Sequence, residues 1–381
     1  MIAIVLSALL LAAVAGTALT VMRGSRRIAS LADYPPWQGA SAPRVSIVIP
    51  ARNEAQGIEA AMRSVLALDY PDFEVIAVND RSEDETGAIL DRLHAAHPQL
   101  RVIHVAELPE GWLGKNHALH QGAAAATGKY ILFTDADVNY EPSALARAVG
   151  AAEDERLDHL AIFPDVPASN PLLQGMMVNG VIGLYLLFRP WRPGRRFIGV
   201  GAFNLVRAET WRGLGGHERI RLEMIDDVMI GMVMRRAGAA QRLLVGHGLL
   251  SVEIYPGVGA MIRGLEKNMF AAMDYRVSVV LAVTAYTLAV GVWPWVGVLA
   301  FEGPVRWINA ATLLAALVSF TDFTLRGGYG LPCILTAPLT PFLSLLILWR
   351  SALKALTTGT VGWRGTRYSL AELRRAHLPM L

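Results

Sequence analysis

The sequence predicts an α/β protein in which a largely parallel β-sheet, with helices on both faces, is joined to apolar helices near both ends of the chain. Two observations support this. Between residues 44 and 134, short apolar runs of strand type alternate with segments of helical spacing, which is the pattern of β-α-β units. Residues 1–22 and much of the last third of the chain are also apolar runs of the length that spans a bilayer.

The composition of the 381-residue chain supports the membrane part of this prediction. Apolar residues make up 53% of the sequence and charged residues only 18%, whereas charged residues reach about 25% in a typical globular domain. The net charge of +3 is too small to indicate a nucleic-acid partner. Cys333 is the only cysteine, which excludes an intrachain disulfide and a cysteine-based zinc site.

The N-terminal membrane anchor is predicted from residues 1–22, which are uncharged and precede Arg23, Arg26 and Arg27. About 20 helical residues cross a bilayer core. A cleaved signal peptide would carry its basic region before the apolar run. Because the charges follow the run here, we expect an uncleaved anchor in the cytoplasmic membrane with the next domain in the cytoplasm. Residues 23–43 are rich in turn formers and are predicted to be a linker.

A single nucleotide-binding-type domain is predicted over residues 44–275. It opens with alternating strands and helices. The strands are predicted at 45–49, 74–79, 101–105 and 129–134, and the helices at 54–68, 83–96 and 115–126. In open α/β sheets ligands bind beyond the carboxyl ends of the strands. The residues that follow each strand are therefore the candidates for a functional site.

Three further apolar runs follow, at residues 277–301, 307–325 and 331–349, within a predicted membrane segment 277–350. If the preceding domain is cytoplasmic, three full spans would place the basic tail, residues 351–381, outside. That would oppose the tendency of basic segments to stay inside. We therefore expect the proline-interrupted third run to be re-entrant and the tail to be cytosolic.

Another apolar stretch, residues 172–188, lies within the predicted domain. It is followed by four arginines, Arg189, Arg192, Arg195 and Arg196. The stretch is short for a span. A buried core helix and an interfacial helix whose arginines reach anionic headgroups both fit this pattern. We assign residues 172–196 as an interfacial segment.

The strongest chemical signal is the pair Asp135 and Asp137, directly after the fourth strand. Carboxylates spaced by one residue can offer oxygens to one hard cation such as Mg²⁺ or Mn²⁺, which keeps its other positions for water and phosphate oxygens. A capped turn is the alternative interpretation. The position at a strand end favours the metal site.

Polar residues follow the other strands in the same way. Pro50, Asn53 and Glu54 end or follow the first strand, and Asp80 follows the second. A carboxylate at such a strand end can accept hydrogen bonds from a nucleotide base or ribose. Lys115, at the start of a helix after a glycine-rich turn, can meet a phosphate.

Taken in order and spacing, these motifs resemble the family 2 glycosyltransferases, which have the GT-A fold. The resemblance extends to about residue 275 through Gly201 to Arg207, Gly215-Gly216, Asp226-Asp227 and Arg235 to Gly238. It implies that Asp80 contacts the nucleotide, that this nucleotide is of the uridine type, and that Asp135 and Asp137 bind the metal and diphosphate. It also implies that the acidic pair supplies the general base. The family's pair is usually Glu-Asp, so either Asp226 or Asp227 can be that base, and Asp227 is the preferred candidate.

One departure from the family bears on the product. Members that build polymers carry Gln-x-x-Arg-Trp after the base, and here the nearest register is Ala260 to Gly264, which has neither the Gln nor the Trp. This indicates transfer of a single sugar. Residues 111–116 and 362–368 are similar to carotenoid, hopanoid-associated and ceramide-type membrane transferases. That similarity implies a lipid acceptor and a tail that returns to the cytosolic domain.

We therefore expect an inverting, metal-dependent transfer of one sugar from a nucleotide-sugar to a lipid hydroxyl. Asp227 would take the hydroxyl proton, and Lys267, near the start of the membrane segment, is a further candidate for contact with the diphosphate. A polyprenyl-phosphate glycosyltransferase, whose acceptor phosphate needs no base, is the enzymatic alternative. A catalytically silent membrane scaffold is the alternative from another class. The sequence predicts neither the sugar nor the oligomeric state.

Overall fold

The computed structural model describes residues 1–39, 41–192 and 199–380. It confirms an α/β fold with apolar helices near both ends of the chain. Arg195 and Arg196, at the end of the predicted interfacial segment, lie outside the described residues.

The strands and helices have the following bounds. The strands are β1 Val45–Ala51, β2 Phe73–Asp80, β3 Leu100–Val105, β4 Tyr130–Phe133, β5 Val138–Tyr140, β6 His159–Phe163, β7 Asn204–Arg207, β8 Gln241–Val245, β9 Leu250–Val252, β10 Thr360–Trp363 and β11 Thr366–Ser369. The helices are α1 Ile2–Ser25, α2 Ile58–Leu66, α3 Thr86–Ala96, α4 Gly114–Ala125, α5 Ala144–Asp154, α6 Pro171–Phe188, α7 Ala208–Gly213, α8 Asp226–Arg236, α9 Val258–Met269, α10 Val277–Gly291, α11 Trp293–Ala300, α12 Pro304–Arg326, α13 Thr340–Thr358 and α14 Leu370–Ala376.

The main sheet has seven strands in the order β3-β2-β1-β4-β7-β6-β8. The first four are parallel to one another, and β7 runs antiparallel to both of its neighbours. Alternate residues of β1 enter two different cores: Ile47 packs with α2, α3 and α5, whereas Val48 packs with α4 and α8. The sheet is therefore covered on both faces, and the carboxyl ends of β1, β2 and β4 share one edge.

The predicted strands are confirmed, but two of the helices begin later than predicted. The helix predicted from residue 54 begins at Ile58, and the one predicted from residue 83 begins at Thr86. The residues between the predicted and the observed helix starts instead join the loop after β1 to the loop after β2. The Glu54 amide donates to Thr86 Oγ1 at 2.8 Å, and the next amide, of Ala55, donates to Asp84 Oδ2 at 3.1 Å. These side-chain bonds compete with the first helical turn.

Four helical segments among the described residues are long and apolar enough to cross a membrane: α1, α6, α12 and the broken pair α10–α11. Helix α1 packs along α12. Asp322, which interrupts an otherwise apolar run, pairs with Arg26 at the end of α1 and with Arg326 one turn away at 2.7 Å. This carboxylate is therefore neutralised where the two helices meet.

The proline-interrupted run 331–349 forms a short 3₁₀ helix, Leu331–Thr336, followed by α13. Helix α13 continues past the predicted boundary at residue 350 and ends at Thr358. The re-entrant assignment of this run remains a prediction. So does the interfacial assignment of residues 172–188, which form the long helix α6.

The tail returns to the α/β domain, as expected. The β10–β11 hairpin reaches the sheet edge, where the Gly114 amide donates to the Tyr368 hydroxyl at 3.3 Å. Beyond α14, the buried His377 ring bridges two buried carboxylates, Glu223 at 2.8 Å and Asp274 at 2.9 Å. The Leu378 amide also donates to Glu223, at 2.6 Å. The tail therefore packs against the α/β domain through both its hairpin and the segment after α14.

The His377 cluster gives the docked tail a pH dependence. Burial alone would lower the pKa of His377, but the hydrogen bonds and charges of Glu223 and Asp274 outweigh it and raise the pKa. The ring also meets the edge of Tyr275, whose carbonyl accepts from Arg374. A raised histidine pKa stabilises the fold fully below about pH 6.5, the ordinary histidine value, and this stabilisation is lost as pH rises through the folded-state pKa.

We predict that His377→Gln lowers the stability of the full chain by about 1.5–3 kcal/mol at pH 6, the range for hydrogen bonds to charged groups. The deficit should shrink as pH rises towards 9. Thermal unfolding of wild type and variant in detergent across this range measures it. His97→Gln is the matched control, since the His97 side chain has no hydrogen bond or ion pair within the described part of the chain. An equal deficit at both pH values would contradict the prediction.

Candidate active site

The carboxyl edge of β1, β2 and β4 meets the starts of α4 and α8, and a cavity of about 190 Å³ opens there. Its lining combines charged and polar side chains with the apolar Leu119, Phe133 and Ile230. The lining residues include Lys115, Asp135, Gly201, Asn204, Asp226 and Asp227. The structure therefore brings together the lysine, the first aspartate of the Asp-x-Asp pair and the later acidic pair.

Lys115 lies between two of these carboxylates. Its Nζ is 2.8 Å from Asp135 Oδ1 and 3.2 Å from Asp226 Oδ2. Burial alone would lower the pKa of Lys115, but the attraction of Asp135, Asp226 and Asp227 outweighs it and raises the pKa. In turn, burial alone would raise the pKa of Asp135, and the ammonium group reverses this and holds it below its ordinary value. The Lys115–Asp135 pair is therefore charged at neutral pH.

Asp137 has the opposite electrostatic environment. Burial, followed by the negative charges of Asp135 and Glu54, raises the pKa of Asp137 to about 6. Among the described residues no basic side chain pairs with it. The Asp137 carboxylate therefore lacks a paired positive charge, and a bound cation would supply one.

The acidic pair begins α8, and its two members differ. Asp226 is paired with Lys115, whereas Asp227 Oδ2 accepts a hydrogen bond from the Gly201 amide at 3.0 Å. Burial, and then the charge of Asp226, raises the pKa of Asp227 to about 6. A Cβ on Gly201 would lie 2.5 Å from Asp135 Oδ2, so only glycine lets the backbone come this close to both carboxylates.

Asp80 closes β2 and is buried. Arg81 holds its carboxylate through Nε at 2.7 Å and Nη2 at 3.0 Å, and Arg52 Nη1 lies 3.9 Å away. A Cβ on Gly114 would come within 2.4 Å of Asp80 Oδ2. The glycine before Lys115 therefore leaves the space that the Asp80 carboxylate fills.

Asn53 and Glu54 hold the loops around this edge. Asn53 has φ 54°. Its backbone amide donates to Ser82 Oγ at 3.1 Å, and its Oδ1 accepts from the Glu83 backbone amide at 2.8 Å. The Glu54 carboxylate pairs with Arg364 of the tail hairpin. Pro50 lies within β1 opposite Val78 of β2. Their predicted contact with a donor remains a prediction.

The sequence analysis did not identify Trp363 and Arg364 as site residues. The Lys267 ammonium lies 3.5 Å from the centroid of the Trp363 ring, and burial, followed by repulsion from Lys115, lowers the pKa of Lys267 to about 8. The Arg364 charge contributes to the low pKa of Asp135. The signal available in the sequence was the segment Trp363-Arg364-Gly365. In the structure this segment is a turn in which Arg364 and Gly365 both have positive φ.

A mostly parallel sheet whose carboxyl edge carries Asp80, the Asp135–Asp137 pair and an acidic helix start defines the class of the protein: it is a glycosyltransferase of the GT-A fold. Residues 46–209 match the family model described as "Glycosyl transferase family 2". The chain carries a glycosyltransferase family 2 domain, and this identifies it as an enzyme of that kind.

Known proteins resemble the chain over different lengths. A 4,4'-diaponeurosporenoate glycosyltransferase of Staphylococcus aureus is 22% identical over 341 residues, which is 86% of this chain and 89% of that protein. A beta-monoglucosyldiacylglycerol synthase of Synechocystis is 37% identical over 109 residues, 28% of this chain and 22% of that protein.

Among solved structures, a mannosyltransferase from Pyrobaculum calidifontis, in complex with GDP-Man and Mn²⁺, has a TM-score of 0.55 with this chain at 21% identity. The likeness covers 93% of this chain and 99% of that one. At this identity it supports the fold.

We predict that Gly201→Ala lowers turnover by at least about tenfold, because the added methyl would displace Asp135 or the amide that binds Asp227. Donor consumption by the full chain in detergent measures this. Gly213→Ala is the matched control, since a Cβ there meets no atom within 4 Å. Equal activity of the two variants would show that the close approach at residue 201 has no catalytic role.

Proposed function

We propose that the enzyme transfers one sugar from a nucleotide-sugar, a UDP-sugar, to the hydroxyl of a membrane lipid with inversion at the anomeric carbon. Asp227 is the general base, and Mg²⁺ or Mn²⁺ binds at Asp135 and Asp137. One observation carries the proposal. Lys115 pairs with Asp135 and Asp226 at the sheet edge, and beside them the Gly201 amide holds Asp227.

The donor set fits a divalent cation. Asp137 offers oxygens in a place where neighbouring carboxylates raise its pKa, and Asp135 is two residues away. No group of three or more His, Cys, Asp or Glu residues that could hold a metal occurs in the described ranges. Water and donor phosphates would therefore complete the coordination, as Mg²⁺ and Mn²⁺ sites commonly do. The metal would supply charge stabilisation for the departing diphosphate.

Asp227 is better suited than Asp226 to act as the base. Asp226 is committed to Lys115, whereas the Gly201 amide orients Asp227 and its pKa of about 6 leaves it ionised yet basic near neutral pH. In the reaction the hydroxyl oxygen forms a bond to the anomeric carbon while the bond from that carbon to the diphosphate oxygen breaks. The hydroxyl proton passes to Asp227.

A lipid acceptor in the cytoplasmic membrane is the second part of the proposal. It is supported by the four apolar helical segments and by relatives named for diaponeurosporenoate and for monoglucosyldiacylglycerol. The docked tail and the α/β domain share one side, which we assign to the cytoplasm. The deviation at Ala260 to Gly264 from the motif of polymer-forming enzymes supports transfer of one sugar.

We predict that Asp227→Asn lowers kcat by about 10²–10⁴-fold, the usual contribution of a general base, with little change in donor KM. In the wild type, activity should fall as pH drops through about 6, because Asp227 then becomes protonated. Sugar transfer into a bacterial lipid extract, with a panel of UDP- and GDP-sugars, measures both. Asp154→Asn, an exposed carboxylate, is the control. Full activity of Asp227→Asn would favour a phosphate acceptor that needs no base.

We predict that EDTA abolishes transfer, that Mn²⁺ or Mg²⁺ restores it, and that Asp137→Asn weakens Mn²⁺ binding by at least about tenfold. Since protons compete for Asp137 with a pKa of about 6, Mn²⁺ affinity in the presence of UDP should rise from pH 5 to pH 7. Calorimetry of the full chain measures this affinity. Turnover that persists in EDTA would refute the metal requirement.

A further inference from the structure

A second cavity, of about 340 Å³, lies between α9, α13 and β10. It is lined by side chains of three separate segments of the chain. The lining residues are Arg263, Glu266, Lys267, Ser351, Lys354, Ala355, Thr360, Val361 and Gly362. None of the residues assigned to catalysis or to the metal lines it.

The charges of this cavity are unbalanced. Glu266 is its single carboxylate, and Lys354 Nζ already pairs with it at 2.7 Å, as does Arg350 at 3.4 Å. Arg263 forms no hydrogen bond or ion pair within the described part of the chain. Lys267 has the Trp363 ring as its partner rather than a carboxylate. Neither Arg263 nor Lys267 therefore pairs with the carboxylate of this cavity.

The cavity also lies beside a stretch of α13 that exposes both apolar and charged side chains. Leu346 of α13 is 53% exposed. One to two turns further along α13 stand Arg350 and Lys354, whose side chains are 54% and 64% exposed. Basic side chains just beyond an apolar helical segment are placed to meet anionic headgroups at a membrane surface.

Lys267 links the cavity to the catalytic edge. It lines the second cavity, and the charges of Asp135, Asp226 and Asp227 also act on it. A group bound against Arg263 and Lys267 would therefore lie near the exposed basic side chains of α13 and against a lysine that the catalytic carboxylates also influence. An anionic group is the chemistry that these two cations favour.

We propose that this cavity binds the anionic headgroup of a lipid, a phosphate or a carboxylate, through Arg263, Lys267 and Lys354. The inference rests on the proposed function in one respect, namely that a lipid is positioned here for sugar transfer. The headgroup belongs either to the acceptor itself or to a phospholipid beside it. The chemistry of recognition is the same for both.

The test is native mass spectrometry of the full chain in detergent with equal amounts of phosphatidylglycerol and phosphatidylcholine. The wild type should retain phosphatidylglycerol at least fivefold more often. Arg263→Gln combined with Lys354→Gln should lose this preference, Arg263→Lys should keep it, and Arg101→Gln, an exposed arginine on β3, should match the wild type. Equal retention of the two lipids by the wild type, or an unchanged preference in the double variant, would overturn the proposal.

Two further measurements separate the possible causes. Metal-dependent UDP binding should be intact in the double variant, so a lost lipid preference with intact UDP binding is specific to this cavity. If the wild type binds no nucleotide, the proposed function fails, whatever the lipid result. If added phosphatidylglycerol raises the acceptor KM in turnover assays, it competes with the acceptor, and the acceptor headgroup is the occupant. If it raises kcat instead, the occupant is a neighbouring phospholipid.

Discussion

The contact on which the active site depends is the ion pair between Lys115 and Asp135, with Asp226 as its third member. Four carboxylates gathered at one sheet edge, those of Asp135, Asp137, Asp226 and Asp227, would repel one another strongly. The Lys115 ammonium group, at the start of α4, neutralises part of this charge. The carboxylates around it consequently differ in pKa. Asp135 stays ionised, whereas the pKa values of Asp137 and Asp227 rise to about 6. The site thus holds one carboxylate that stays ionised beside the lysine and two whose pKa values are raised.

The glycines near this pair serve the same end. At Gly114 a side chain would collide with Asp80, and at Gly201 it would collide with Asp135. The site is therefore assembled by close approach of backbone to carboxylate, which no larger residue permits. Leu119, Phe133 and Ile230 supply its apolar lining. Lys115 and the carboxylates thus set the charge of the site, whereas the two glycines set its space. Substitutions can test the two effects separately.

The fold and much of the site could be predicted from the sequence because their signals are local. Alternation of apolar runs predicted β1 to β4, and the Asp135–Asp137 pair follows β4 directly. Contacts between distant segments could not be predicted in the same way. The pairing of Arg364 with Glu54 joins residues 310 positions apart, and nothing in either local sequence specifies the other. The late start of α2 has a similar cause, since the side chains of Asp84 and Thr86 take the amides that would begin the helix.

The docked tail has a consequence for how the enzyme matures. Trp363, Arg364 and His377 follow α10 to α13 in the chain, so a ribosome delivers them only after those apolar helices have left it. The hairpin that covers the sheet edge, and the histidine that holds the tail, therefore reach the domain after those helices. The α/β domain can form its sheet early, but the complete site follows the helices. Membrane insertion and completion of the site are in this way linked by chain order alone.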